Sequence, residues 1–236
     1  MKNILLSLIV FVLAGLGTFF YFTHPVEQPT QDISETSADA QLEVVYTDTQ
    51  ALYRIASERS VATFRIGETL RGEPFTAVGT TSQVSGDVVI QKGVVDATTS
   101  PPVLFTIGEV RLDARTFTTD SQQRDTALKR FILQTETPGN EFMVFVPSDV
   151  VDVPEQIVLG EPFTATLKGN MTIAGITHPV EFALTATQTP DTLSLHVEGV
   201  LKRSDFNLTI PNIPFVADVD DVIEVSVDAI AYIVHP

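Results

Sequence analysis

The stretch that decides the fold spans residues 167–182 and reads LKGNMTIAGITHPVEF. Side chains alternate along a strand, so both arms of this stretch can present one apolar face. Gly175 supplies the backbone freedom that a corner requires, and Pro179 indicates the start of a returning strand because it cannot donate to a ladder. The stretch therefore predicts an amphipathic hairpin. Its inner face comprises Phe163, Ala165, Leu167, Met171 and Ile173 on one arm and Val180, Phe182, Leu184 and Ala186 on the other.

The chain beyond residue 46 repeats this pattern in shorter segments. Runs of alternating apolar and polar residues are separated by Gly, Pro, Asn and Asp, which is typical of an antiparallel β fold. About eight such runs are present, and eight strands close into a barrel that holds its own side chains or one small ligand. A sandwich of two sheets also fits the pattern. The sequence predicts an all-β, antiparallel domain over 46–236.

One helix interrupts the strands near 121–133. Asp120 can cap its free N–H groups, and Gln123 follows three residues later as the partner of a capping box. Four apolar residues fall on one helical face, namely Ala127, Leu128, Phe131 and Ile132. Pro138-Gly139 lies beyond the point where the helix must stop. The apolar face is predicted to cover part of the sheet or one end of a barrel.

Two departures from simple alternation are predicted among the strands. The apolar face changes phase between Ile107 and Val110, which indicates a β-bulge at Gly108 or Glu109. Segment 142–146 is apolar on both faces and predicts a strand that is buried on both sides.

The N-terminus carries an apolar run of membrane-spanning length. Residues 4–22 contain no charge, and as a helix rising about 1.5 Å per residue they extend roughly 28 Å, close to the hydrocarbon thickness of a bilayer. Lys2 precedes the run and acidic residues follow it, which favours a domain outside the cytoplasm. Gly15-Leu16-Gly17 could also serve as a signal-peptide cleavage site, which would make the same run removable. Residues 1–23 are therefore predicted to be a signal anchor, or a signal peptide that leaves a secreted or periplasmic protein.

Residues 24–45 form an acidic tract that contains Pro25 and Pro29 and few large apolar side chains. Such a tract cannot bury enough apolar surface to offset its ordering entropy, so it predicts a disordered tether. The whole chain has a formal charge of −16, from 14 basic and 30 acidic residues. A field of this sign repels nucleic acid, which is therefore excluded as a main partner.

Residues that carry catalysis or bind metals are scarce in this chain. The histidines His24, His178, His196 and His235 are scattered and show no metal-ligand spacing. The chain has no cysteine, and it contains no Gly-x-Ser-x-Gly, phosphate-loop or dinucleotide motif. The sequence predicts a protein without metal, cofactor or catalytic residues.

Three motifs resemble those of a known family. Gly169, Thr172, Ile173, Gly175, Thr177, Pro179 and Val180 match the pattern Gly-x-Leu-Thr-Ile-x-Gly-x-Thr-x-Pro-Val, with Met171 in place of leucine. Arg124-Asp125, with Leu128 and Leu133, resembles an Arg-Asp-x-x-Leu helix. Arg203-Ser204-Asp205-Phe206 resembles an Arg-Ser-Asp-Phe-Gly motif, with Asn207 in place of glycine. From residue 52 to residue 233 the chain is similar to the YceI-like family.

The resemblance implies a lipocalin-like barrel that binds a polyisoprenoid, or a similar long-chain lipid, in an apolar lumen. The expected lining is Phe64, Phe105, Ile107, Phe163, Leu167, Ile173, Phe182, Leu184, Leu195, Val197, Val225 and Val227. Four basic residues would bind an anionic head group at the mouth, namely Arg124, Lys129, Arg130 and Arg203. Arg124 and Arg203 could instead form ion pairs or caps that hold the helix and a strand end to the barrel.

Three functions are compatible with this sequence. The first, which we favour, is a membrane-tethered or exported carrier or reservoir that performs no catalysis. The second is an envelope-stress or protein-interaction module with a closed core, since small barrels are often filled by their own side chains. The third is an enzyme acting on an isoprenoid, which would require a polar cluster with perturbed pKa values in the lumen. A cavity large enough for a lipid chain distinguishes the first function from the second.

Overall fold

The computed structural model describes residues 50–91, 104–212 and 216–235 of the 236-residue chain. The signal anchor or signal peptide predicted at 1–23 and the tether predicted at 24–45 lie outside the described residues. Within the described ranges, no helix is long and apolar enough to cross a membrane.

Thirteen strands are found in the described residues, and all their pairings are antiparallel. They are β1 Gln50–Ile55, β2 Val61–Leu70, β3 Glu73–Thr81, β4 Val84–Ser85, β5 Asp87–Gln91, β6 Leu104–Ile107, β7 Val110–Asp113, β8 Phe142–Val151, β9 Pro162–Ile173, β10 Ile176–Gln188, β11 Thr192–Lys202, β12 Val216–Ala217 and β13 Val222–Ile233. The prediction of an all-β, antiparallel fold is confirmed, but the predicted number of about eight strands is wrong, because strands such as β4 and β12 are too short to show alternation.

The strands form one hydrogen-bonded sheet in the order β4-β7-β8-β9-β10-β11-β13-β1-β5-β6, with β2, β3 and β12 attached beside β13. The first half of β13 pairs with β2 and its second half pairs with β1. β4 lies at one end of the order and β5 lies next to the other end, yet only Gly86 separates them in the chain. The sheet therefore curls into a barrel-like shape with an inner and an outer face.

The predicted hairpin forms β9 and β10 in the middle of this order. The strands pair continuously from Ile173 opposite Ile176 to Pro162 opposite Thr187. The turn consists of Ala174 and Gly175, whose φ angles of 48° and 77° lie in the left-handed region. The inner-face residues Phe163, Ala165, Leu167, Met171, Ile173, Phe182, Leu184 and Ala186 are buried, as predicted, and Val180 is half-buried. The return strand begins three residues before Pro179.

The predicted bulge is confirmed by the register, and the prediction for 142–146 is wrong. Ser85 pairs with Arg111 and Val88 pairs with Ile107, so the four residues 85–88 face the five residues 107–111. In β8, by contrast, Val146 is 45% exposed. Val146 lies on the outer face of β8, whereas its neighbour Phe145 packs in the core and is 7% exposed.

The helix begins as α1 Gln122–Ala127 and continues as a π-helical segment, Leu128–Ile132. This span agrees with the predicted 121–133, but its second half is wound more loosely than an α-helix. The cap differs from the prediction, because the Ser121 hydroxyl accepts the Arg124 N–H while Asp120 pairs with the Arg124 side chain. Arg124 also contacts Glu68 near the end of β2. We call this end of the sheet the helix end, and the opposite end, with Tyr53, the far end.

Candidate ligand-binding cavity

An apolar cavity of about 440 Å³ lies between the helix and the inner faces of the strands. Small-molecule sites commonly enclose roughly 300–1,000 Å³. Ten of the twelve residues expected in the lumen line it, namely Phe64, Ile107, Leu167, Ile173, Phe182, Leu184, Leu195, Val197, Val225 and Val227. Ala127, Leu128 and Ile132 contribute further apolar wall from the helix. The structure thus brings most of the predicted lining around one space.

Phe105 and Phe163 are the two expected lining residues that do not reach the cavity. Both are buried, and their ring centroids lie 5.6 Å apart with an interplanar angle of 80°. Such an edge-to-face arrangement is favourable for aromatic pairs. These two rings fill the interior toward the far end instead of bordering open space.

Most polar residues of the lining gather at the helix end, which we call the mouth, while Thr63, Glu198 and Ser226 lie further along β2, β11 and β13. Those at the mouth include Glu68, Arg71, Asp120, Ser121, Gln123, Arg124 and Arg203. Within the described ranges, no group of three or more His, Asp or Glu residues could hold a metal ion. The cavity therefore combines apolar walls with a polar entrance of mixed charge.

Arg124 is held at the mouth by two carboxylates. Its Nη2 donates to Oε1 of Glu68 at 2.8 Å, and its Nη1 pairs with Asp120. The guanidinium carbon also lies 5.2 Å from the Phe75 ring centroid, within cation–π range. The Glu68 side chain is only 6% exposed. This arrangement ties α1 to β2, and it means that an anionic ligand would compete with Glu68 and Asp120 for Arg124.

Arg203 is held mainly by backbone oxygens. Its Nη1 donates to the Leu208 carbonyl at 2.8 Å and its Nε donates to the Asp220 carbonyl at 3.4 Å. The next residue, Ser204, donates through its N–H and its hydroxyl to the Asp221 carboxylate, and these bonds lower the pKa of Asp221. The Arg-Ser-Asp-Phe motif therefore fixes the segment after β11, with the Arg203 guanidinium beside the cavity.

Lys129 and Arg130 do not reach the mouth. Lys129 is 3% exposed and lies outside the cavity lining, and burial lowers its pKa despite the nearby carboxylates of Asp125 and Asp113. Arg130 lies 3.2 Å from Glu136 and is likewise absent from the lining. The helix directs Leu128 and Ile132, which flank this pair, toward the cavity, so Lys129 and Arg130 face away from it.

Comparison with known proteins identifies the family. A family model described as a YceI-like domain matches residues 53–231. The chain belongs to the YceI-like family. Two solved structures share the fold of this YceI-like domain at low identity. Burkholderia cenocepacia BcnA is 16% identical with a TM-score of 0.54, over 75% of this chain and 98% of that chain.

The second structure comes from Saccharophagus degradans and is described as a polyisoprenoid binding domain implicated in plant cell wall breakdown. It is 11% identical with a TM-score of 0.58, over 79% of this chain and 99% of that chain. At such identities the likeness shows the fold alone. A comparison with curated proteins gave no match.

Sequence reasoning missed two features of the cavity of this YceI-like domain. Glu68 is one, although the alternation of Ala62, Phe64 and Ile66 continues to it and could have placed it on the inner face. The other is Gly199, whose lack of a side chain leaves room for an aromatic ring of the cavity wall. An added Cβ at Gly199 would lie 2.6 Å from Cδ1 of Phe182. Only spatial neighbours reveal such a contact, because the two residues lie on different strands.

Proposed function

We propose that this YceI-like domain is a non-catalytic binding protein that takes up a polyisoprenoid or a similar long-chain lipid, as a carrier or reservoir. The observation that carries the proposal is the cavity of about 440 Å³, with apolar walls and polar residues at the mouth. Burial of a chain there would contribute roughly 0.8 kcal/mol per methylene. The Saccharophagus degradans relative, which has the same fold and is described as binding polyisoprenoid, supports this choice of ligand.

The head group of the lipid is proposed to lie at the mouth, beside Arg124 and Arg203. Both arginines line the cavity, and both guanidinium groups are already oriented by other contacts. A head group would therefore meet donors that lose little side-chain entropy on binding. Lys129 and Arg130 are left out of this site because neither lines the cavity.

The protein is proposed to act outside the cytoplasm, held to the membrane by residues 4–22. This part of the proposal rests on the uncharged run and on the acidic residues that follow it. A lipid carrier placed there would exchange its cargo close to a membrane. Cleavage of the run would give a secreted or periplasmic carrier with the same cavity.

A closed-core interaction module is the competing hypothesis, and it predicts that no cavity of this size exists. The cavity therefore favours the carrier. The competing hypothesis also predicts that the folded protein takes up no lipid, which makes uptake the decisive property.

The test is native mass spectrometry of the full chain purified from its own host, followed by denaturing lipid analysis of the released material. The expected result is one bound lipid with the mass of an isoprenoid, or uptake of added polyprenol by the lipid-free protein. A folded protein that carries no lipid and refuses polyprenol would contradict the carrier.

Paired substitutions on β10 locate the uptake. Leu184→Glu would place a carboxylate in the apolar wall, where Leu184 is 1% exposed, and is expected to abolish binding. Thr185→Glu is the matched control, because the next residue lies exposed on the outer face. Val197→Gln at a half-buried wall position keeps the test available if Leu184→Glu does not fold. Equal uptake by folded wall and control variants would contradict this binding site.

A further inference from the structure

On seven strands the cavity lining ends between two consecutive inward residues. On β10, Leu184 lines it and Ala186, the next inward residue, does not; on β11, Leu195 lines it and Leu193 does not. On β6, Ile107 lines the cavity and Phe105, the next inward residue, does not. The lining ends in the same way on β1, β5, β9 and β13. A boundary shared by seven strands indicates a surface across the lumen and not a local gap.

The interior between this boundary and the far end is packed with buried side chains. Phe105 on β6 and Phe163 on β9 meet edge to face across the interior, since these two strands do not pair with each other. Leu193 has no exposed surface, and Tyr53 is 1% exposed. Buried side chains therefore lie between the cavity and the far end.

A buried hydrogen bond fixes the same layer. Nε2 of Gln188 on β10 donates to the Tyr53 hydroxyl on β1 at 2.8 Å, although β11 and β13 lie between these strands in the sheet. A polar bond across an apolar interior is costly to break, because each group would then lack a partner. The layer is thus held by the aromatic pair and by this bond together.

We infer that this layer is a floor that sets the length of lipid chain the domain accepts, with Phe163 as its main specificity-determining residue. This inference rests on the proposed function and adds the selection of chain length to it. A chain that enters at the mouth stops above Phe105 and Phe163. Carbon atoms beyond that length remain exposed to water and hold the head group away from Arg124 and Arg203, so a longer chain binds less tightly.

The effect of moving the floor can be estimated from burial. Each additional buried methylene changes affinity about fourfold. Phe163→Ala would open space below the boundary for part of a further isoprene unit, and we expect a preference of roughly tenfold or more for chains one unit longer than the wild-type optimum. Ala229→Leu would raise the floor, because Ala229 lines the cavity and the next inward residue, Ala231, does not. It should shift the preference toward shorter chains.

The experiment is competitive loading of the full chain with an equimolar ladder of linear polyprenols, read by native mass spectrometry. Leu201→Ala is the matched control, since Leu201 lines the cavity near the mouth and its truncation widens the lumen without deepening it. The floor variants should shift the preferred length in opposite directions, and the control should leave it unchanged. Ala229→Leu still tests the floor if Phe163→Ala fails to fold.

Two negative outcomes are distinguishable. In the first, the wild-type protein takes up polyprenol, but the folded Phe163→Ala and Ala229→Leu variants prefer the same chain length as the wild type, or Leu201→Ala shifts the preferred length equally. This result would overturn the floor and leave the carrier intact. Refusal of every polyprenol by the wild-type protein would overturn the carrier itself and the floor with it.

Discussion

The two ends of the curled sheet use the same strands in different ways. At the helix end, apolar side chains surround about 440 Å³ of open space, and Arg124, Glu68 and Asp120 meet at the entrance. At the far end, Phe105 and Phe163 pack edge to face. The inner-face alternation is identical in both halves. The difference shows that alternation determines which side chains face inward, while side-chain size and cross-strand contacts determine whether they meet.

The largest expected difference between the helix end and the far end is in the free energy of unfolding lost when a buried side chain is truncated. Leu193→Ala removes a fully buried side chain from the packed half, and we expect it to cost about 4–5 kcal/mol of unfolding free energy. Leu201→Ala makes the same change on the same strand beside the cavity, and we expect about 2–3 kcal/mol because fewer atoms pack against Leu201. Urea unfolding monitored by circular dichroism measures both. Equal losses would show that the two halves are packed alike.

The ion pair at the mouth comes next in size. Glu68→Gln leaves Arg124 with a weaker partner at a side chain that is 6% exposed, so we expect a loss of about 1–3 kcal/mol. It should also strengthen binding of an anionic-headed lipid, because one competing carboxylate is removed. The control is Glu181→Gln, whose partner Lys168 lies 3.6 Å away on the outer face with both side chains exposed. It should cost less than about 1 kcal/mol. A loss of the same size in both variants would contradict a structural role for the mouth pair.

A third prediction concerns the cavity wall at the helix end. Gly199→Ala would push the Phe182 ring toward the cavity, and overpacking of this kind costs about 1–3 kcal/mol. Uptake of polyprenol should fall as well, since the displaced ring occupies ligand space. The double variant with Phe182→Leu should recover part of both losses, which a double-mutant cycle measures. Additive losses would mean that the ring does not lie over Gly199.

The smallest expected effect lies on the outer face, away from both halves. The His196 ring donates a hydrogen bond to Asp228 and a weaker one to Glu198, and both raise the pKa of His196, although burial opposes them. The folded state therefore binds the proton more tightly, so the stabilisation is present below the ordinary pKa of about 6.5 and is lost as pH rises through the raised pKa. It should stay below about 1 kcal/mol because the pair is exposed. Urea midpoints at pH 5.5 and pH 8.5 should differ less in His196→Gln than in the wild type. An unchanged difference would assign the pH effect to other groups.

Local sequence patterns predicted the elements of the fold well. The β9–β10 hairpin, the phase change at Gly108–Glu109 and the helix near 121–133 each follow from a few neighbouring residues, and the structure confirms them. The helix cap was misplaced by one residue because Asp120 and Ser121 are both good caps. Burial of Val146 was predicted wrongly, since exposure of an apolar outer face depends on where the helix packs.

The site was harder to predict because it depends on depth along the barrel axis. Alternation placed Phe163 and Leu184 on the same inner face, and nothing local shows that one lies below the cavity and the other in its wall. The basic residues of the helix illustrate the same limit. Arg124 reaches the mouth and Lys129 does not, because the packing of Leu128 and Ile132 fixes the rotation of the helix.

The carrier and its floor both require tail-first uptake of a prenyl chain at the helix end, down to a defined depth. The most direct test of this uptake is a crystal structure of the complex with a polyprenol that carries bromine at the end of its tail, located by anomalous scattering. We expect one bromine site above the floor, beside Ile107 and Leu184. A bromine at the mouth near Arg124, between Phe105 and Phe163, or on the outer face would contradict it.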